Sequence, residues 1–206
     1  NIDFDEKDKN ILKFETFFRK LSNINLNSLN INNYNILHYD EKWIKKLYIG
    51  SYTNIELSNI ELEKFAISII SKTKKNLVIT SGKYSTEPLD NLKLSMKRLN
   101  NKIYKKKIGN NFLYYIECPD FYELIDVISK SEICITCHGS VTHISSSFDS
   151  KTIDIIDKSK KSLYRAYSAH LKNYNEIIRE SSRSTTKNIL NLLWSEYKII
   201  YVNKIF

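Results

Sequence analysis

Apolar positions along this chain follow two rhythms, a helical spacing near 3.6 and short unbroken runs. Ile11, Phe14, Phe17, Phe18 and Leu21 predict an amphipathic helix over 11–21, followed by an Asn-rich connector over about 22–33. Residues 35–39 then read as a strand. Ser58-Asn59-Ile60-Glu61 is a capping box: the hydroxyl covers a free N–H and the Glu reaches back. It opens a helix with Leu62, Phe65, Ala66, Ile69 and Ile70 on one face. Residues 77–80 form an apolar strand that ends at Ser81-Gly82. A helix with Leu89, Leu92, Met96 and Leu99 comes next, and then a strand over 112–116. Asp120 and Glu123 make a second capping box, opening a helix with Phe121, Leu124, Ile125 and Ile128 on its apolar face. A strand over 133–137, a short helix over 141–148 and a strand over 152–156 follow. Two helices, about 162–180 and 185–197, close the chain. Strands and helices alternate about five times, which predicts an α/β fold with a parallel sheet covered on both faces. Ligands of such sheets bind at the carboxyl ends of the strands.

Composition narrows the picture. At 206 residues there is room for one large domain, and 4 Gly and 2 Pro leave little for long irregular loops. The first residue is Asn1, so the chain is expected to be a processed or truncated product with a partner domain elsewhere. No export signal and no membrane-length apolar run is seen, and three Cys do not make a disulfide framework. A reducing cytosol is therefore expected. The net charge of +9 favours anionic partners. Basic runs at 72–75, 105–107 and 158–161 read as solvated helix ends and loops. No zinc-finger or RNA-binding signature accompanies them, so nucleic acid is not an expected partner.

Cys134-Ile135-Thr136-Cys137-His138 fits a covalent-haem signature. Its setting opposes that chemistry. It ends a predicted buried strand, on which Ile133, Ile135 and Cys137 face one way and Cys134 and Thr136 the other. Met96, the only Met, belongs to an apolar helix face. Zinc held by Cys134, Cys137, His138 and His143 meets the same obstacle, because the two thiols point to opposite faces. Two buried, inert cysteines are expected, and no metal or cofactor.

His138-Gly139-Ser140-Val141-Thr142-His143 follows that strand directly. Gly139 permits a tight bend, the N–H groups of residues 140–143 would start a helix, and His143 could donate to a phosphate. Capping and packing by the two histidines is the competing reading. With this turn, the chain resembles the donor-binding, carboxyl-terminal half of the lipopolysaccharide heptosyltransferase family. That family carries a strand, Asp-Ser/Thr-Gly, two residues, His, a small-residue helix, Gly-x-Pro and another strand. Here His138, Gly139, Ser140 and His143 stand at the Asp, Ser/Thr, Gly and His. Residues 144–148 take the place of the small-residue helix, and Asp149 and Lys151 replace the Gly and Pro before 152–156. The resemblance continues at 35–43, where Lys42 (or Lys45 or Lys46) matches a phosphate-binding Lys. It extends to 77–82 with Glu87, where an acidic residue meets the ribose.

The resemblance implies one Rossmann-like half of a two-domain GT-B type glycosyltransferase, with extra C-terminal helices. Its divisions would be 1–33 (helix and connector), 34–160 (nucleotide-sugar-binding domain) and 161–206 (helices packed on it). It implies inverting, metal-independent sugar transfer from a nucleotide-diphosphate sugar to a lipopolysaccharide or other glycan acceptor, in the cytoplasm and peripheral to the inner membrane. Implied site residues are Lys42, Ser81, Gly82, Glu87, His138, Gly139, Ser140, Val141 and His143. The family's catalytic base lies in the amino-terminal acceptor domain, so none is assigned here. The altered signature keeps a catalytically inactive nucleotide-binding module as the alternative.

Overall fold

The computed structural model describes residues 31–202 apart from 45, 51 and 149. The helix expected over 11–21, Lys45 and Asp149 lie outside the described residues. The first strand, β1 (Tyr34–Tyr39), is buried at every position. It leads through a 3-10 turn (Glu41–Trp43) to α1 (Asn59–Thr73) and β2 (Asn76–Ser81). The chain continues through α2 (Glu87–Leu94), β3 (Lys97–Arg98), β4 (Ile103–Ile108), β5 (Asn111–Ile116) and α3 (Phe121–Ser129). It ends with β6 (Ile133–Cys137), α4 (Ser140–Ser147), β7 (Lys151–Asp157), α5 (Lys161–Ser168), β8 (Tyr174–Arg179) and α6 (Ser182–Val202).

The eight strands form one sheet in the order β3-β4-β5-β2-β1-β6-β7-β8. Six of them, β5-β2-β1-β6-β7-β8, run parallel, while β3 and β4 pair antiparallel at one edge. Numbered along the chain, the parallel strands stand in the order 3-2-1-4-5-6, that of doubly wound dinucleotide folds. The fold is Rossmann-like, and its sheet changes direction of growth between β1 and β6.

Burial explains why the central strands are mostly apolar. Leu37, Leu77, Ile79, Ile135, Cys137 and Ile153 face one layer, packed by Leu62, Phe65 and Ile69 of α1 and by Ile189 and Leu193 of α6. Ile36, Val78, Tyr114 and Cys134 face the other, under Ile125 and Ile128 of α3 and Val141 and Ile144 of α4. Strands covered on both sides cannot alternate with polar residues. Both predicted capping boxes form: Ser58 accepts from Glu61 N and Asp120 from Glu123 N, while each Glu accepts from its cap's N–H.

Two elements differ from expectation. The helix carrying Leu89 and Leu92 stops at Leu94, where Ser95 folds back on Leu92 O, and Met96 and Leu99 lie beyond it. Its continuation enters a hairpin whose strand β4, IYKKKI, is half solvated and so carries no apolar run. The helix expected over 162–180 ends at Ser168. After Asn173, at a φ of 51°, the chain enters β8, which pairs along β7 and buries Ile177. The sheet thus extends past the expected division at 160, into the segment expected to be helices alone.

Candidate functional site

The carboxyl ends of β1 and β6 bring Lys42 and the 138–143 turn together. Asp40, immediately after β1, is 2% exposed and caps the 3-10 turn by accepting from Lys42 N at 3.1 Å. Its other oxygen accepts from Lys42 Nζ at 2.8 Å and lies 3.3 Å from His38 Nε2. Burial pushes the Asp40 carboxyl up, but His38 and Lys42 outweigh it and hold it at about 2. Burial likewise disfavours the Lys42 ammonium, yet Asp40 raises its pKa above the ordinary value. Lys42 therefore stays charged while largely covered.

Lys42 lies against Gly139. A Cβ added at Gly139 would stand 2.8 Å from Lys42 Nζ. Gly139 itself is extended, with φ of 162° and ψ of −159°. The glycine leaves room for this close approach of the Lys42 ammonium, and its backbone is not the tight bend expected. The N–H of Gly139 donates to Thr142 Oγ1 and that of Thr142 to Gly139 O. The expected row of four free N–H groups over 140–143 thus shrinks to Ser140 and Val141 in the first turn of α4. The Val141 side chain is buried in the core under α4, so any part it takes in binding falls to its backbone.

His138 and His143 sit differently. His138 Nδ1 donates to Asp154 Oδ2 at 2.6 Å, and the fully buried Asp154 also accepts from Thr142 Oγ1 at 3.0 Å and Tyr174 OH at 2.9 Å. A carboxylate on Nδ1 fixes the ring and leaves Nε2 for a ligand. The His138 ring packs on Tyr164, 4.2 Å between centroids. His143 lies between His138 and His170, at 5.8 and 6.1 Å between rings. Burial first, then the neighbouring His138 and His170, depress its pKa.

The nucleoside-side residues are less closely joined. Ser81 accepts from Cys118 N at 2.8 Å, so its hydroxyl ties β2 to the loop after β5. Gly82 meets the first loop: an added Cβ would stand 2.2 Å from Glu41 Oε2 and 2.9 Å from Asp40 Cβ. Glu87 is exposed at the start of α2 and accepts from Asn59 Nδ2 at 3.2 Å.

A pocket of about 10 Å³ joins Lys42 and His138 to residues with no role in the sequence reading: Asp157, Tyr164 and Arg179, with Tyr48 and Tyr52. Such a volume admits about one water. Arg179 lies in a segment that reads as helix, and the apolar pair Ile177-Ile178 beside it is the strand signal the sequence offers. Cys134 and Cys137 are buried on opposite faces, and burial pushes the Cys134 thiol up to about 12. Among the described residues no group of three or more His, Cys, Asp or Glu could hold a metal ion, and no helix is long and apolar enough to cross a membrane.

No protein-family model matches the chain, and no curated protein matches it.

Proposed function

We propose that this chain is the donor-binding half of an inverting, metal-independent GT-B glycosyltransferase. It takes a sugar from a nucleotide-diphosphate sugar for a lipopolysaccharide or other glycan acceptor. The observation that carries the reading is the approach of Lys42 to Gly139 at the switch point of the sheet, beside the first turn of α4. A diphosphate there would meet one ammonium, the N–H groups of Ser140 and Val141 and the positive end of a helix dipole. Those groups stabilise charge that develops on the leaving nucleoside diphosphate, the electrostatic contribution that usually dominates. His143, half-buried and held toward its neutral form, serves as a further hydrogen-bond donor. Ser81 ends β2, and Gly82 and Glu87 follow it, on the nucleoside side. The acceptor and the catalytic base belong to an amino-terminal domain, and a +9 chain suits a glycolipid acceptor at the anionic cytoplasmic face of the inner membrane.

The test is thermal stability of the chain against ADP-, GDP-, UDP- and CMP-sugars. A ligand at 100 times its Kd adds about 2.7 kcal/mol. Lys42→Ala and His143→Ala should each weaken the responding nucleotide about tenfold or more. Unchanged affinity in both removes these assignments.

A nucleotide-binding module without catalysis is the second reading. It is favoured by the small pocket and by the engagement of Lys42 with Asp40. Nucleotide binding without sugar transfer, in the full-length protein, would select it.

A further inference from the structure

Arg179 ends β8 with 3% of its surface exposed. A buried arginine is ordinarily paired with an acid, since a lone buried charge costs several kcal/mol. Among the described residues no carboxylate lies within ion-pair distance of Arg179. One terminal nitrogen donates to Lys42 O at 2.8 Å, and the guanidinium carbon lies 5.4 Å from the centre of the Tyr52 ring. Its Nε is buried with no acceptor at all.

The nearest acid by electrostatic influence is Asp157, and its oxygens are spent elsewhere. They accept from Thr53 N at 3.1 Å, Ser159 N at 2.9 Å and Ser159 Oγ at 2.6 Å. Arg179 nevertheless lines the same small pocket as Lys42 and His138. Three basic side chains from the ends of three parallel strands therefore meet, with one carboxylate, Asp157, whose oxygens are already engaged, around space for about one oxygen atom.

We propose that Arg179 is a phosphate-binding residue, and that the pocket receives an oxygen of a diphosphate lying over the first turn of α4. This deepens the donor-site proposal above, on which it rests for the nucleoside but not for the anion. A phosphoryl oxygen would give Nε its missing acceptor and Arg179 its missing counter-charge. Arginine suits the task because its planar fork holds two oxygens of one phosphate. Tyr48, Tyr52 and Tyr164 wall the same space and limit the water that would weaken the pairing.

The experiment is calorimetric titration of the full chain with inorganic phosphate, pyrophosphate, ADP, GDP, UDP and CDP at constant ionic strength. Wild type is compared with Arg179→Met, Arg179→Lys and Lys42→Ala. Pyrophosphate should bind, and Arg179→Met should weaken it about tenfold or more. The Met variant is first melted without ligand to establish that it folds, since it also gives up the bond to Lys42 O and the attraction to Asp157. Should it fail to fold, Arg179→Lys carries the test: it keeps the charge, loses the fork, and should still weaken pyrophosphate several-fold. Wild type that binds none of these compounds overturns the proposal, as do Arg179 variants that bind pyrophosphate like wild type. Pyrophosphate binding that needs Arg179, with no nucleotide preferred over it, upholds the anion site and removes the donor reading. Nucleotide binding that needs Lys42 and ignores Arg179 does the reverse.

Discussion

Replacing Asp40 with Asn tests whether charge holds the crevice together. The carboxyl of Asp40 sits at about 2 in the folded chain against an ordinary 3.8, despite being 2% exposed. One pKa unit corresponds to about 1.4 kcal/mol, so its ionised form contributes about 2 kcal/mol to stability. Because the folded value is the lower one, that contribution is complete above about pH 4 and disappears as the pH falls toward about 2. Asn keeps the shape and can still accept from Lys42 N, but it offers no charge to Lys42 Nζ or His38. At pH 7 Asp40→Asn should lose about 2 kcal/mol, or roughly 4–8 °C in Tm for a chain of this size. Urea unfolding followed by tryptophan fluorescence reads this out. Trp43 is fully buried and donates from Nε1 to His38 O at 3.0 Å, whereas Trp194 is 55% exposed. The gap between the two proteins should narrow at about pH 3. Equal stability at pH 7 refutes the electrostatic account. An undiminished gap in acid would mean that the loss is one of packing.

The cysteines and glycines give two further expectations. Native protein should titrate one thiol with an aromatic disulfide reagent, the exposed Cys118, and three after denaturation, since Cys134 and Cys137 are covered and poor thiolates; rapid reaction of more than one thiol in the native state contradicts this. Gly82→Ala should cost about 1–3 kcal/mol, because its Cβ meets Asp40 Cβ as well as the Glu41 carboxylate. Gly139→Ala should cost less than Gly82→Ala, since the far end of Lys42 can swing aside, yet it should weaken nucleotide binding by displacing that ammonium; thermal melts with and without nucleotide separate the two effects.

Much of the architecture is legible in the sequence because the central strands are buried on both faces. NILHY, LVIT and ICITC are short apolar runs with no helical room, and both capping boxes mark helix starts by local hydrogen bonding. Lys42 and the His138 turn are also legible, as residues that follow strands destined for the middle of the sheet. The edge is not. β4 carries Lys105, Lys106 and Lys107 in succession and gives no apolar signal, although Gly109-Asn110 between two candidate strands is a hairpin turn signal, with Gly109 at a φ of 59°. β8 is hidden because its residues also fit a helix, and only pairing with β7 decides. That loss removed Arg179 from view. The Asp154 clamp on His138 depends on register between β6 and β7, a contact that neither segment reveals by itself.

The antiparallel flap at the β3 edge has a consequence for colloidal behaviour. A sheet that ended on β5 would present NFLYYI, an aromatic-rich strand with a free ladder of N–H and C=O groups, to any other chain in solution. β4 claims that ladder along its whole length, and β3 covers part of β4 with two exposed cations, Lys97 and Arg98. The outermost backbone is thus short and carries like charges. A second copy approaching edge to edge would set those cations against its own, which disfavours runaway strand addition. Lys97 and Arg98 of β3 thus place like charges where strand addition between copies would begin.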